Sequence, residues 1–284
     1  MLITTSDVHR LNLMNTSQPR AILITGASSG IGLACATYLQ QRGHTVYGAS
    51  RHPRTDAPFA TLHMDVTDEQ SVQEGVQAIV QQTNRLDVAI NCAGFGYAGA
   101  VEDHSVAEAQ EQMNTDFFGT FRVCRATLPV MRQQQAGIII NLGSIAGMVG
   151  IPFTGLYSAA KFAVTGLTEA LRFEARSYGV HVSLICTGDV RTEFAANRRR
   201  AQAAQNSSVY AEQFRTTLSI LEKDEHGGIA PIKVAQLAEK IIMSESPRGV
   251  YTIGPAFEVL AMHARPFVPA RFFEWALRTY YRLG

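Results

Sequence analysis

Tyr157 and Lys161 stand four residues apart in a stretch, from about 155 to 177, whose pattern is helical, so both lie on one face of that helix. An ammonium held beside a phenol favours the phenolate, which predicts a Tyr157 pKa pulled below its ordinary value of about 10. A tyrosine tuned in that way exchanges a proton with an alcohol or carbonyl oxygen near neutral pH. Ser144 stands at the mouth of the preceding apolar run, Gly137–Leu142, where its hydroxyl can hold the same oxygen. Tyr-x-x-x-Lys arises by chance in many helices, so the elements around it must supply the context.

The first of these elements is Ala21–Thr25, a β-rich apolar run that passes into Gly26-Ala-Ser28-Ser29-Gly30-Ile31-Gly32 and then into a helical pattern reaching Gly43. Strand, glycine turn and helix in that order make a phosphate cradle. Glycines admit the backbone close to a pyrophosphate, and the helix start offers free N–H groups and a favourable dipole. The spacing is Gly-x-x-x-Gly-x-Gly rather than the commoner Gly-x-Gly-x-x-Gly. A second strand over 44–49 ends in Ser50-Arg51, with no carboxylate to grip a ribose 2′-hydroxyl. A guanidinium there suits the 2′-phosphate of NADP(H), which is favoured, with NAD(H) possible.

A third strand (61–64) is followed by Asp65 and Val66. Asp65 reads equally well as an acceptor for an adenine amine or as a turn residue. The fourth strand, 86–91, ends in Asn91-Cys92-Ala93-Gly94, where Asn91 suits a polar tie at the strand end and Ala93 and Gly94 allow close approach of a ribose. A long helix is expected over 105–133, with Asn114, a poor helix former, inside it. Asn114 there marks a local bend, a bound water or a plain solvent-facing position. A sixth strand (180–186) leads to Thr187-Gly188-Asp189-Val190-Arg191-Thr192 and a long polar connection ending near 228, which reads as a lid (190–228). A helix over 231–245 and a run over 249–253 complete the alternation. Strands alternating with helices predict an α/β fold, one doubly wound (Rossmann) parallel sheet over 21–254. Residues 1–20 read as a loose extension and 255–284 as a separate tail.

Composition excludes several classes of function. A net charge of +1 lacks the basic excess of a nucleic-acid binder. With 46% hydrophobic and 17% charged residues the chain is globular rather than disordered. Cys35, Cys92, Cys124 and Cys186 are scattered, with no metal-ligand spacing, and read as reduced thiols. No apolar run is long enough to span a bilayer and no secretory signal stands out, so the default location is cytoplasmic.

With these residues in place, the chain resembles the short-chain dehydrogenase/reductase family. The resemblance rests on Thr25–Gly32, Asn91–Gly94, Asn114, Ser144, Tyr157-x-x-x-Lys161 and Thr187-Gly-x-Val-x-Thr192, six motifs in order. It implies a sheet of about seven strands and a nicotinamide cofactor across the strand ends, touching Thr187, Gly188, Val190 and Thr192. It also implies a catalytic tetrad. Tyr157 exchanges the proton, Lys161 lowers its pKa and holds the nicotinamide ribose, Ser144 polarises the substrate oxygen, and Asn114 holds a water behind Lys161. A homodimer or homotetramer is implied as well. Cys92 and Thr187 depart from the family's usual Asn and Pro.

Phe95, Ile145, Phe153 and Phe194 are the side chains expected to meet substrate. Being apolar, they point to a bulky ketone or secondary alcohol of lipid, steroid, retinoid or polyketide kind. The tail interleaves Phe267, Phe272, Phe273, Trp275, Tyr280 and Tyr281 with Arg265, Arg271, Arg278 and Arg282. Packing over the substrate mouth or against another subunit is favoured for it over contact with a membrane surface. The rival to an enzyme is a cofactor-binding regulator or scaffold without turnover, against which the intact Tyr157 and Lys161 argue. Dehydration or epimerisation on the same fold would call for a larger C-terminal domain.

Overall fold

The computed structural model describes residues 18–205 and 209–284; most of the extension expected over 1–20 and a piece of the lid lie outside that range. Seven parallel strands form the central sheet: β1 (Ala21–Thr25), β2 (Thr45–Ser50), β3 (Ala60–His63), β4 (Val88–Asn91), β6 (Gly137–Ser144), β7 (Val180–Thr187) and β9 (Val250–Ile253). Their order is β3-β2-β1-β4-β6-β7-β9, so the winding reverses between β1 and β4. Ligands of such sheets settle at the carboxyl ends of the strands beside that reversal.

Helices cover both faces, which is why the inner strands read as continuous apolar runs. Successive side chains point to opposite faces. Ile22 and Ile24 therefore join a core under α1 (Gly30–Gln41) and α7 (Pro231–Ile242), with Cys35, Leu39, Val234 and Ile241. Leu23 faces the other way, into a core under α2 (Glu69–Thr83), α4 (Gly119–Gln134) and α5 (Gly155–Arg176), with Val76, Val123, Met131 and Leu171. All four cysteines are free thiols.

The long helix expected over 105–133 is interrupted. α3 (Val106–Met113), opened by a Ser105–Glu108 capping box, gives way to one π-helical turn, Asn114–Phe118, before α4 begins. The turn has a physical cause. Arg122 donates to the Asn114 and Val66 carbonyls, and Asp116 turns inward to accept the Phe95 N–H at 3.1 Å. π-turns inside helices concentrate at functional sites.

The lid is not an open loop. A two-residue strand, β8 (Arg199–Arg200), pairs in parallel with β5 (Tyr97–Ala98), and α6 (Ala211–Gly227) follows. The tail forms α8 (Ala256–Ala264) and α9 (Ala270–Tyr280).

Candidate active site

A cleft of about 850 Å³ opens at the carboxyl ends of the strands, with the glycine turn on one side and the lid and tail helices on the other. The glycine turn is shaped for a close ligand. Gly26 and Gly30 have φ of 67° and 54°, a region L side chains avoid. A Cβ at Gly32 would stand 2.3 Å from the Gly26 carbonyl oxygen, and one at Gly26 would stand 2.8 Å from Ala93 N. The Ser29 N-cap side chain makes no capping bond, so the first N–H groups of α1 face a cleft lined by Ser28, Ser29, Gly30, Ile31 and Gly32. This cradle fits a pyrophosphate. Ser50, Arg51, Asp65, Val66, Ala93, Gly94, Thr187, Gly188, Val190 and Thr192 line the same cleft, and His52 and Thr67 line it without having been expected. Thr192 packs against Gly30, closing the lid's root over the turn. Asp65 also serves its own turn: its Oδ1 accepts the Thr67 N–H at 2.9 Å and the Thr67 hydroxyl at 2.8 Å.

Ser144 and Tyr157 both line the cleft, and the serine hydroxyl counters the upward shift of the phenol. The Ser144 hydroxyl oxygen also accepts the Ala146 N–H at 3.1 Å, which orients the side chain. Lys161 lies behind them, buried. Its Nζ is 5.5 Å from the Tyr157 ring centre and donates to the Leu142 carbonyl at 3.1 Å. Burial works against the Lys161 cation, but Tyr157 and Asp116 outweigh it and raise its pKa.

Tyr157 differs from expectation. Enclosure pushes its phenol above the ordinary value, Lys161 pulls it back, and Asp116 pushes it up again. The spacing shows the lysine but neither the desolvation nor the second charge.

Three expected residues lie elsewhere. Asn114 stands outside the cleft, its side-chain Oδ1 accepting from Arg122 at 2.8 Å. The π-turn carries Asp116 inward instead. Asp116 is fully buried, with Oδ2 3.7 Å from Lys161 Nζ and without a hydrogen-bond partner. Burial pushes this carboxyl up to about 6, against the pull of Lys161 and the Phe95 N–H. Its signal in the sequence was an acid set against Phe117 and Phe118. Asn91 does not reach the cleft either; its Nδ2 donates to Asn141 Oδ1 at 2.8 Å and ties β4 to β6. Phe153 packs away from the cleft, 5.6 Å from the Phe214 ring beneath α6.

Phe95, Ile145 and Phe194 line the cleft. Phe194 rests on Tyr157, ring centres 5.4 Å apart, and the Arg198 guanidinium covers Phe194 at 5.8 Å while pairing with Glu225. The lid is thus strapped over the phenol. Beyond it the cleft lining includes apolar side chains, among them Leu221, Met262, Phe273, Ala276 and Leu277, and a set of acidic ones. The acidic set is Asp189, Asp224, Glu225 and Glu258; the Asp189 N–H donates to Glu258 Oε2 at 2.9 Å, and burial and the Glu258 charge push the Asp189 carboxyl up to about 8. The tail was expected over the substrate mouth or against another subunit, and Phe273, Tyr280 and Tyr281 do line the cleft. The acidic set was not legible before folding, because it is assembled from the loop after β7, from α6 and from the tail.

The family model for short chain dehydrogenase matches residues 20–203. The chain belongs to the short-chain dehydrogenase/reductase family. It is an oxidoreductase of the NAD(P)-dependent kind that works between CH–OH and C=O. It is 41% identical to a 3-ketodihydrosphingosine reductase of Bacteroides thetaiotaomicron, over 94% of this chain and 99% of that one. Among solved structures it is similar to a short chain dehydrogenase/reductase of Burkholderia phymatum in complex with NAD, at 25% identity and a TM-score of 0.76, over 88% of this chain and 94% of that one. It is also similar to ElxO with NADP bound, at 25% identity and a TM-score of 0.68, over 83% and 97% of the respective chains. A nicotinamide cofactor is therefore common to both structural relatives.

Proposed function

We propose that this protein is an NADPH-dependent reductase of a long-chain amino ketone, of the 3-ketodihydrosphingosine type. The observation that carries the reading is the wall above Tyr157, part apolar and part acidic. An alkyl chain suits the first part, and the ammonium that such a base carries beside its ketone suits the second. The similarity to the Bacteroides enzyme extends over 94% of this chain, which supports a substrate of the same kind. Glu225 pairs with Arg198, whereas Asp224 accepts only the neutral Tyr280 hydroxyl at 2.6 Å and Glu258 only the Asp189 N–H at 2.9 Å, so an ammonium would bring these two the opposite charge.

In this mechanism the glycine cradle, Lys161 and the loop from Thr187 to Thr192 hold the dinucleotide, which when bound supplies the hydride. Ser144 donates a hydrogen bond to the ketone oxygen and fixes its distance from the phenol. Tyr157 gives its proton to that oxygen as it becomes an alcohol. Lys161 stabilises the phenolate left behind, and Asp116 holds the lysine charged. Phe194 and the Arg198–Glu225 pair exclude water from above.

The test is NADPH consumption with 3-ketodihydrosphingosine and with a ketone of equal chain length lacking the amine. The amino ketone is expected to have kcat/KM higher by about tenfold or more, the worth of one charge-assisted contact. Equal rates would remove the acidic wall from recognition, and reduction of short polar ketones alone would end the lipid reading.

Arg51 and His52 stand at the rim of the cleft, where β2 ends without a carboxylate, and favour a 2′-phosphate there. Arg51→Glu is expected to raise KM for NADPH by about tenfold or more while sparing NADH. Unchanged preference in steady-state kinetics would leave Arg51 a surface charge.

A further inference from the structure

The tail helices use only one face for the cleft. Phe273, Ala276 and Leu277 of α9 and Met262 of α8 turn inward. The opposite side presents Leu260 (70% exposed), Phe267 (87%), Phe272 (57%) and Trp275 (60%), with Phe257 at the edge. Phe272 and Trp275 stack on each other, ring centres 5.5 Å apart, rather than on the protein. Apolar groups this large in one patch are rarely left to water.

Charge decides what covers them. Arg265, Arg271, Arg278 and Arg282 lie in the same segment, and among the described residues none pairs with an Asp or Glu side chain. Arg265 and Arg278 donate instead to main-chain oxygens of Met148 and Gly284, and Glu274 lies within one helical turn of Arg271 and Arg278. On α9, Arg271, Arg278 and Trp275 share one helical face, with Phe272 next to it. A second copy meeting this patch across a two-fold axis would set arginines against arginines. An anionic lipid surface offers the opposite charge to the arginines and acyl chains to the rings. Among the described residues no helix is long and apolar enough to cross a membrane, so contact would be from one side.

We propose that the outer face of α8 and α9 docks the protein on an anionic lipid surface, with Phe267, Phe272 and Trp275 entering the interface and the arginines meeting headgroup phosphates. Docked in this way, the cleft opens along the same two helices that touch the lipid.

Trp275 is the single tryptophan of the chain, so its fluorescence reports this face alone. The full-length protein is mixed with vesicles of phosphatidylcholine containing phosphatidylglycerol, and with vesicles of phosphatidylcholine alone. Flotation with the anionic vesicles and a blue shift of Trp275 emission are expected, both weakening as salt is raised. Arg271→Glu with Arg278→Glu should reduce the partition coefficient by about tenfold or more. Phe267→Ser with Phe272→Ser should abolish flotation while leaving NADPH turnover of a water-soluble ketone unchanged, since neither residue lines the cleft. The proposal is overturned by the absence of flotation with either vesicle, or by a Trp275 shift that follows protein dilution without lipid, which would assign the face to a second copy.

Discussion

Replacing Tyr157 by Phe is expected to lower ketone reduction by roughly 10²–10⁴-fold, the range for removing a positioned general acid. The ring remains to pack on Phe194 and beside Lys161, so the lid and the glycine cradle keep their shape. NADPH binding, followed by the change in its fluorescence, should stay within about threefold of the wild type. That separation is the content of the prediction. A variant that turns over normally would remove Tyr157 from proton transfer, whereas one that loses turnover and binding together would make it a cofactor anchor.

Replacing Lys161 by Met is expected to lower turnover by a similar factor and also to deepen the dependence of stability on pH. In the wild type Asp116 titrates near 6, above its ordinary value. The folded chain thus binds this proton more tightly than the unfolded chain, and the associated stability is present at low pH and lost as pH rises through 6. Two units correspond to about 3 kcal/mol. Without the ammonium, the buried carboxyl shifts further up and the loss extends to higher pH. Urea unfolding should show Lys161→Met near the wild type at pH 5 and weaker by about 2–4 kcal/mol at pH 8.5. Adding Asp116→Asn should restore the stability at pH 8.5 and leave turnover low, because a neutral amide needs no counter-charge. Equal losses at both pH values would show that Lys161 supports packing rather than charge balance.

That Asp116 and not Asn114 stands behind Lys161 shows where linear reading meets its limit. In a regular helix, residues two apart point to different sides, so the identity of the inward residue depends on local phase. The π-turn at 114–118 resets that phase, and it is held by Arg122 donating to the Asn114 carbonyl and by the Phe95 N–H donating to the Asp116 carboxylate. Such contacts join residues distant along the chain. Phe153 went astray for a related reason: its neighbour in sequence, Thr154, lines the cleft, but Phe153 has a φ of 58° and turns under α6.

The sequence by itself determined the alternation of strands and helices in one parallel sheet, the glycine cradle and the Tyr157–Lys161 pair, while the number of strands followed from the family resemblance. Each of these is local: a period of two or of 3.6, a turn that only glycine permits, or a pair on one helical face. Tertiary structure alone decided the charge balance around Lys161, the phenol's upward shift, and the wall that meets substrate. Those depend on desolvation and on side chains drawn from the loop after β7, the lid and two tail helices. Burial and long-range juxtaposition come into being only when the chain folds, and they decide how each charged group behaves.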